Sequence, residues 1–136
     1  MRISKAYWLW GLFPDKDKYL LNEIKNKVQI KLQSPSFTTH ITLSGPYSDI
    51  KKSFLKKLKI FGENNSEIHL IPEGYDFKQE IYQSFFVAIK DTENLQLLRK
   101  NIYGLNKFEF KKNYFPHISL AYGNHEIRDK KELIAK

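Results

Sequence analysis

The chain contains the same short pattern, a histidine, an isoleucine, a hydroxyl residue and a leucine, at residues 40–43 and again at residues 117–120. Each copy alternates polar with apolar side chains, and this alternation predicts a half-buried β-strand. Because side chains two positions apart on a strand share a face, each histidine points to the same side as its hydroxyl residue. The chain must therefore fold so that two strands each present a histidine and a hydroxyl group on their polar face.

The segments that lead into these two strands also resemble each other. The apolar run Tyr7–Phe13 is followed by a helical pattern and the His40 strand, and the apolar run Phe85–Ile89 is followed by a helical pattern and the His117 strand. Such a diverged repeat predicts two pseudo-symmetric β-α-β lobes that bring the histidine strands together. We therefore predict an α+β fold with antiparallel or mixed sheets around a central cleft, formed by a single two-lobed domain over residues 1–136.

Apolar residues recur at helical spacing in three segments, which predicts three amphipathic helices, and a short final helix is expected over residues 129–135. A turn is predicted at Gly45–Pro46, after the first histidine strand, and a hairpin turn at Glu73–Gly74. Phe108 and Phe110 predict one more strand. The apolar positions of the three helices are Leu20, Ile24, Val28 and Leu32; Ile50, Phe54, Leu58 and Phe61; and Leu95, Leu98 and Ile102.

Charge favours an anionic partner. Lysine and arginine outnumber aspartate and glutamate by 23 to 15, which gives a net charge of +8. Such a surface attracts nucleic acids, nucleotides or anionic membranes, although a generally lysine-rich composition explains the charge equally well. The absence of cysteine excludes disulfides, a thiol nucleophile and thiolate-rich zinc sites. No closely spaced His-Glu-His cluster is present, so we expect neither a metal nor another cofactor.

The longest apolar run, Ala6 to Phe13, is far shorter than the roughly 20 residues that a membrane-spanning helix needs. The run follows Arg2 and Lys5, as in a signal peptide, but no small-residue cleavage pattern comes after it. A buried first strand is therefore the better interpretation. We expect a cytoplasmic monomer that does not bind a membrane.

The two His-x-Ser/Thr strands, each preceded by a strand and a helix, resemble the paired motifs of the two-histidine (2H) phosphoesterase superfamily. Its members include plant and fungal cyclic phosphodiesterases, bacterial RNA 2′,3′-cyclic phosphodiesterases once called 2′-5′ RNA ligases, and the nucleotide-binding domain of kinase-anchoring proteins. The resemblance covers the chain from Tyr7 to the C-terminal helix. Within it, Tyr7–Trp10 and Phe37–Pro46 are most similar to the small cyclic phosphodiesterases.

The resemblance implies a metal-independent phosphodiesterase that acts on 2′,3′-cyclic phosphates or on 2′-5′-linked nucleotides and RNA ends. It also implies that His40 and His117 are catalytic and that Thr42 and Ser119 bind phosphate oxygens. In this mechanism a neutral histidine deprotonates the nucleophile, which is water or a ribose 2′-hydroxyl, and the other histidine protonates the leaving oxygen. The sequence does not distinguish the acid from the base, nor does it choose among these substrates.

Aromatic residues near the motifs are candidates for binding the base of a nucleotide. Tyr122 follows the second motif, where cyclic phosphodiesterases often have an aromatic residue, but strict alternation along the strand would point it into the core. Trp10 on the first strand and Tyr82 before the matching strand are further candidates. For most of these aromatic residues burial in the core is the competing expectation.

Two other functions are consistent with the same residues. The first is a module that binds a nucleotide or RNA without turning it over, as the kinase-anchoring relatives illustrate. The second is a basic RNA-binding adaptor with incidental histidines, whose binding would depend steeply on salt and would be indifferent to replacement of the histidines. His69 and His125 lack the motif and are expected at the surface.

Overall fold

The computed structural model describes residues 7–64, 67–105, 110–111 and 113–135 of the chain. The fold is α+β, as predicted, and the strand pairs with a defined register are all antiparallel. The described helices are α1 (Asp15–Leu32), α2 (Lys52–Asn64), α3 (Glu93–Leu105) and α4 (Ile127–Ala135), with a short 3-10 helix at Ile81–Gln83. The described strands are β1 (Tyr7–Gly11), β2 (Ile41–Tyr47), β3 (Pro72–Phe77), β4 (Phe85–Ile89) and β5 (His117–Ala121).

The chain divides into two compact units, and neither unit is a contiguous half of the sequence. Both histidine motifs begin in the second unit, because His40 and His117 both belong to it. The first unit takes the described residues of Met1–Trp10, Thr42–Leu70 and Asp91–Phe115, and the second takes those of Gly11–Ile41, Ile71–Lys90 and Pro116–Lys136.

The first unit is built from β1, most of β2, and the helices α2 and α3. Tyr47, Phe54 and Tyr103 form its buried aromatic core. The β2 strand continues through Gly45 and Pro46 to Tyr47, so the turn predicted there is wrong. Gly45 has a φ of +124°, and a side chain at this position would lie 2.9 Å from the Trp8 ring. The glycine therefore allows β1 to lie closely against β2, which a local turn rule does not anticipate.

In the second unit, β4 lies between β3 and β5, and α1 packs on β5. The helix α1 buries Val28 and Leu32, which belong to its predicted apolar stripe. From β5, Ile118 and Leu120 are buried. The α4 helix contacts α1, where Lys31 forms a surface ion pair of 3.1 Å with Glu132.

Two further predictions about strands are wrong. The segment at Glu73–Gly74 does not turn, because β3 runs through it beside β4, with a register shift between Pro72 and Gly74. Local rules assign this glycine to a hairpin turn. In the structure it lies at a bulge in β3, and β3 stays paired with β4 on both sides of the bulge. The predicted strand near Phe108 lies outside the described residues, and Phe110 is described but belongs to no strand.

The aromatic residues of β1 are less buried than predicted. Tyr7, Trp8 and Trp10 are 42, 51 and 43% exposed, and Tyr82 is 72% exposed, whereas Phe85 is buried as expected. An apolar run identifies a strand, but the elements that cover it are set by the tertiary packing.

Candidate functional site

The segment that delivers His40 is anchored to α1 and β5. Gln33 ends α1 in the left-handed conformation, and the chain then turns back along the helix. Phe37 stacks on Tyr122 with ring centroids 4.0 Å apart, and the Thr39 hydroxyl donates a 2.6 Å hydrogen bond to Asn22 Oδ1 on α1. The residues just before the first motif are thus fixed by side-chain contacts.

His40 is only 6% exposed, and its protonation state is constrained by its surroundings. Its Nδ1 lies 2.7 Å from the Thr38 carbonyl oxygen. Because a carbonyl can only accept, Nδ1 carries the proton, and Nε2 is the nitrogen able to take up another. Burial lowers the pKa of His40, while the bond to Thr38 opposes this and the charges of His117 and Lys25 add to it.

The pairing of β2 with β5 brings the two motifs together. Ile41 lies directly opposite Ile118 in an antiparallel register. Both isoleucines are buried, so the residues next to them point to the other face of the strands. In this register His40 lies across from Ser119. His117 comes two residues before Ser119 on β5, so its side chain is on the same face as Ser119. The electrostatic influence of His117 on His40 agrees with this proximity.

His117 is half-buried, in contrast to His40. Its partner on β4 is Ala88, and its ring meets the edge of Phe86 at a centroid distance of 5.4 Å and an angle of 64°. Phe86 is fully buried and lies opposite Ser119 in the register. The small Ala88 and the ring of Phe86 therefore support the His117 ring from β4.

A bulge in β5 decides where Tyr122 points. Phe86 pairs with Ser119, but Phe85 pairs with Ala121, so Leu120 is an extra residue in β5. The insertion shifts the alternation by one position and turns Tyr122 to the face of Ser119, where strict alternation had pointed it into the core. The Tyr122 hydroxyl is hydrogen-bonded to Ser119, and burial raises the pKa of this tyrosine.

Ser119 and Tyr82 complete this group. The Ser119 hydroxyl donates a 3.1 Å hydrogen bond to the Tyr82 carbonyl oxygen. The exposed Tyr82 ring packs edge-on against Tyr122, with centroids 5.4 Å apart. Of the candidates predicted from the sequence, the second unit therefore brings together His40, His117, Ser119, Tyr122 and Tyr82.

Thr42 and Trp10 belong to the first unit. Thr42 is half-buried, and its carbonyl oxygen accepts a 2.5 Å hydrogen bond from the Tyr114 hydroxyl. Trp10 is 43% exposed on β1. Their predicted roles in phosphate and base binding stay predictions.

Sequence reasoning missed the residues that surround His40. Lys25 is 5% exposed, donates a hydrogen bond to the Phe37 carbonyl oxygen and lies 5.1 Å from the centroid of the Phe37 ring. It occupies a position on α1 four residues after Leu21 and three before Val28. A lysine at helical spacing between apolar residues is an indication, available from the sequence, that its side chain has a buried partner.

The other two histidines differ from each other. His69 is exposed, as predicted. His125 is half-buried, which corrects the expectation of a surface residue, and its Nδ1 lies 2.8 Å from the hydroxyl of the fully buried Ser84. His125 also has a hydrogen bond with the Leu32 backbone and is influenced by the charge of Lys130, so it links elements of the second unit.

The sequence matches no protein-family model and no curated protein. A function for this chain is therefore argued from the geometry of the site. Within the described residues, histidine and acidic side chains form no group of three or more that could hold a metal ion. No helix in the described part of the chain is long and apolar enough to cross a membrane.

Proposed function

We propose that the protein is a metal-independent phosphodiesterase that acts on 2′,3′-cyclic phosphates or 2′-5′ linkages of nucleotides or RNA ends. The observation that carries the proposal is that His40, directly before β2, and His117, on the paired strand β5, belong to one unit and lie close enough for the charge of His117 to lower the pKa of His40. Two imidazoles in such a position can hold opposite protonation states, as acid–base catalysis requires.

His40 is the base in this proposal. Its lowered pKa increases the neutral fraction near neutral pH, and the bond from Nδ1 to Thr38 leaves Nε2 as the proton acceptor. Water, or the ribose 3′-hydroxyl beside a 2′-5′ linkage, attacks phosphorus, and its proton passes to Nε2. His117, as imidazolium, gives a proton to the departing ribose oxygen as the P–O bond breaks. The protonation states of the histidines are exchanged at the end of the step, and solvent restores them.

Ser119 and the nearby tyrosines are assigned to binding. The Ser119 hydroxyl turns from the Tyr82 carbonyl to a non-bridging phosphate oxygen, where charge develops in the transition state. The hydrogen bond between the Tyr122 hydroxyl and Ser119 helps to hold the serine side chain in place. The exposed ring of Tyr82 offers a surface on which a base can stack. Thr42 is the second predicted hydroxyl donor, and the two-lobed 2H architecture over the whole chain belongs to the same proposal.

The test is turnover in the presence of EDTA. Purified protein is incubated with nucleoside 2′,3′-cyclic phosphates, 2′-5′ and 3′-5′ dinucleotides and cyclic dinucleotides. The double variant His40→Ala/His117→Ala is the loss-of-function protein, and His69→Ala removes an exposed histidine as the matched control. The proposal requires turnover that persists in EDTA, survives His69→Ala and disappears in the double variant. Full activity of the double variant, or activity that depends on added Zn²⁺ or Mg²⁺, would contradict it.

One observation favours a second candidate, a module that binds nucleotides without turnover. The Ser119 hydroxyl hydrogen is already donated to the Tyr82 carbonyl, and a site that never contacts a phosphate in a transition state has no need to release it. This candidate predicts that one of the compounds binds the wild-type protein tightly and is recovered unchanged.

A further inference from the structure

A polar groove is formed in part by the residues that directly precede His40 in the chain. Its volume is about 430 Å³, and it runs between one face of α1 and the segment that leads to His40. Thr38, whose carbonyl accepts the hydrogen bond from His40, is part of its wall. The lining residues are Lys18, Asn22, Lys25, Asn26, Ser36, Phe37, Thr38 and Thr39.

The lining of the groove carries positive charge and no carboxylate. Lys18 and Lys25 are seven residues apart on α1, so two helical turns place them on the same face. The charge of Lys18 contributes to the lowered pKa of Lys25, after burial, which shows that the two ammonium groups feel each other. Among the described residues, neither lysine forms an ion pair with an acidic side chain. A pair of like charges in a partly buried groove is stabilised by an anion.

The donors of the groove are held in place before any ligand arrives. Within the described chain, the buried Lys25 ammonium has one hydrogen-bond acceptor, the Phe37 carbonyl, although an ammonium carries three hydrogens. Asn22 accepts from the Thr39 hydroxyl through Oδ1, which leaves its Nδ2 hydrogens as the donors that it can offer a ligand. Lysine and amide donors on a fixed helix face match the oxygens of a phosphate group.

Arg99 in the first unit is a buried cation whose partners are acceptors of the protein itself. It is 2% exposed, and its guanidinium donates to Leu43 O, Gln96 Oε1 and Lys111 O at 2.9, 3.1 and 3.2 Å. The Tyr114 ring also lies 3.5 Å from Arg99 Cζ. Lys25 has no comparable set of acceptors among the described residues, and its groove is open.

We propose that this groove binds a second phosphate of the substrate, the phosphate on the 5′ side of the nucleotide whose 2′- or 3′-phosphate reacts. The inference rests on the proposed function and specifies the substrate class: a 5′-phosphorylated or oligonucleotide end is preferred over a nucleoside 2′,3′-cyclic phosphate. Thr38 and Thr39 connect the groove directly to His40 along the chain. A phosphate held there positions the adjacent ribose against the histidines.

The experiment compares pairs of compounds that differ by one phosphate. Uridine 2′,3′-cyclic phosphate is assayed with and without a 5′-phosphate, and the 2′-5′-linked diadenylate likewise. The wild-type protein should prefer the 5′-phosphorylated member in kcat/KM by about tenfold or more, the order expected for a hydrogen-bonded ion contact. The advantage should shrink as salt is raised, because part of the contact is solvent-exposed.

Variants assign the preference to the groove. Lys18→Gln should lower the preference ratio about tenfold. Asn22→Asp should lower it too, because it keeps an acceptor for Thr39 while adding a negative charge to the lining. Lys27→Gln removes the same charge from an exposed position of α1 outside the lining and should leave the ratio unchanged. A wild-type protein without a preference, or a preference that survives Lys18→Gln and Asn22→Asp, would overturn the inference.

Direct binding separates this inference from the proposed function. Calorimetric titration of each compound needs no turnover. If nothing is hydrolysed but the 5′-phosphorylated compounds bind more tightly and lose this advantage in Lys18→Gln, the phosphodiesterase proposal fails and the groove stands. If cyclic phosphates are hydrolysed but the 5′-phosphate changes neither binding nor kcat/KM, the groove assignment fails and the activity stands.

Discussion

The segments around His40 and His117 share one sequence pattern but differ in their surroundings. His40 enters its strand from a segment tied to α1, is 6% exposed and lies near the buried Lys25. His117 opens β5, is half-buried and packs edge-on with the ring of Phe86. A carbonyl oxygen fixes the tautomer of the first histidine, while an aromatic edge supports the second.

The shared pattern accounts for the presence of the two imidazoles, whereas the residues packed around each histidine determine which one is suited to be the base. Burial and a nearby cation both disfavour the charged form of His40, so it is suited to accept a proton. The four residues of the motif predict neither the burial of His40 nor its nearby lysine, because Lys25 belongs to α1. The predictions that follow test this division of roles, beginning with the largest effect.

Single replacement of either histidine should have the largest effect. His40→Ala and His117→Ala should each lower kcat/KM by about 10²–10⁴-fold, because each removes one proton transfer. Since the two act in one step, the double variant should be little worse than the poorer single variant. In pH–rate profiles, His40→Ala should abolish the ascending limb and His117→Ala the descending limb. Exchange of these two assignments would show that His117 is the base.

Replacement of Ser119 should have the next largest effect. Ser119→Ala removes the proposed donor to the phosphate and should lower kcat by about 10²-fold. Tyr122→Phe keeps the stack on Phe37 and loses only the hydroxyl that bonds to Ser119, so a smaller loss is expected. Steady-state kinetics of the two variants decide the order. An equal or greater loss in Tyr122→Phe would move the phosphate-binding role from the serine to the tyrosine.

A smaller effect, a shift in pH dependence, tests the influence of Lys25. Its positive charge helps to lower the pKa of His40, so Lys25→Met should raise that pKa and move the ascending limb of kcat/KM to higher pH. Lys25→Arg keeps the charge and should retain the wild-type limb, and the exposed Lys27→Gln provides the charge-matched control. An ascending limb that stays in place in Lys25→Met would argue against His40 as the base.

The smallest effect concerns stability and His125. The pKa values of His40 and His125 are both lowered in the fold, so the unfolded chain binds more protons as pH falls below the usual histidine value of about 6.5. Thermal unfolding between pH 7.5 and 5 should therefore show stability that is present at neutral pH and declines on acidification. His125 also forms a 2.8 Å hydrogen bond between its Nδ1 and the Ser84 hydroxyl, and such a bond contributes about 1 kcal/mol.

His125→Asn keeps an acceptor without a titrating ring, so its unfolding temperature should depend less steeply on pH than that of the wild-type protein. His69→Asn serves as the exposed control and should preserve the wild-type dependence. Identical slopes for wild type and His125→Asn would leave His40 as the main titrating group.

Local patterns predicted most of the elements, and long-range contacts explain the failures. The alternation at residues 117–120 and the helical spacing of Val28 and Leu32 both identified their elements, because each element buries one face of its own period. The turns predicted at Gly45 and Gly74 were wrong for the same reason. Each glycine has a positive φ, but it lies inside a continuous strand that is next to another strand of the sheet. Turn propensity describes the isolated segment and contains no information about that neighbour.

The same limit applies to the site. The sequence by itself determined that two strands carry histidines and hydroxyl residues on one face, because the period of a strand is a property of the backbone. Only the tertiary structure decided that His40 lies across from Ser119, that a bulge turns Tyr122 toward them, and that α1 places a groove beside His40. Register, bulges and burial depend on the partner that each element packs against, and this partner is chosen by contacts distant in the sequence.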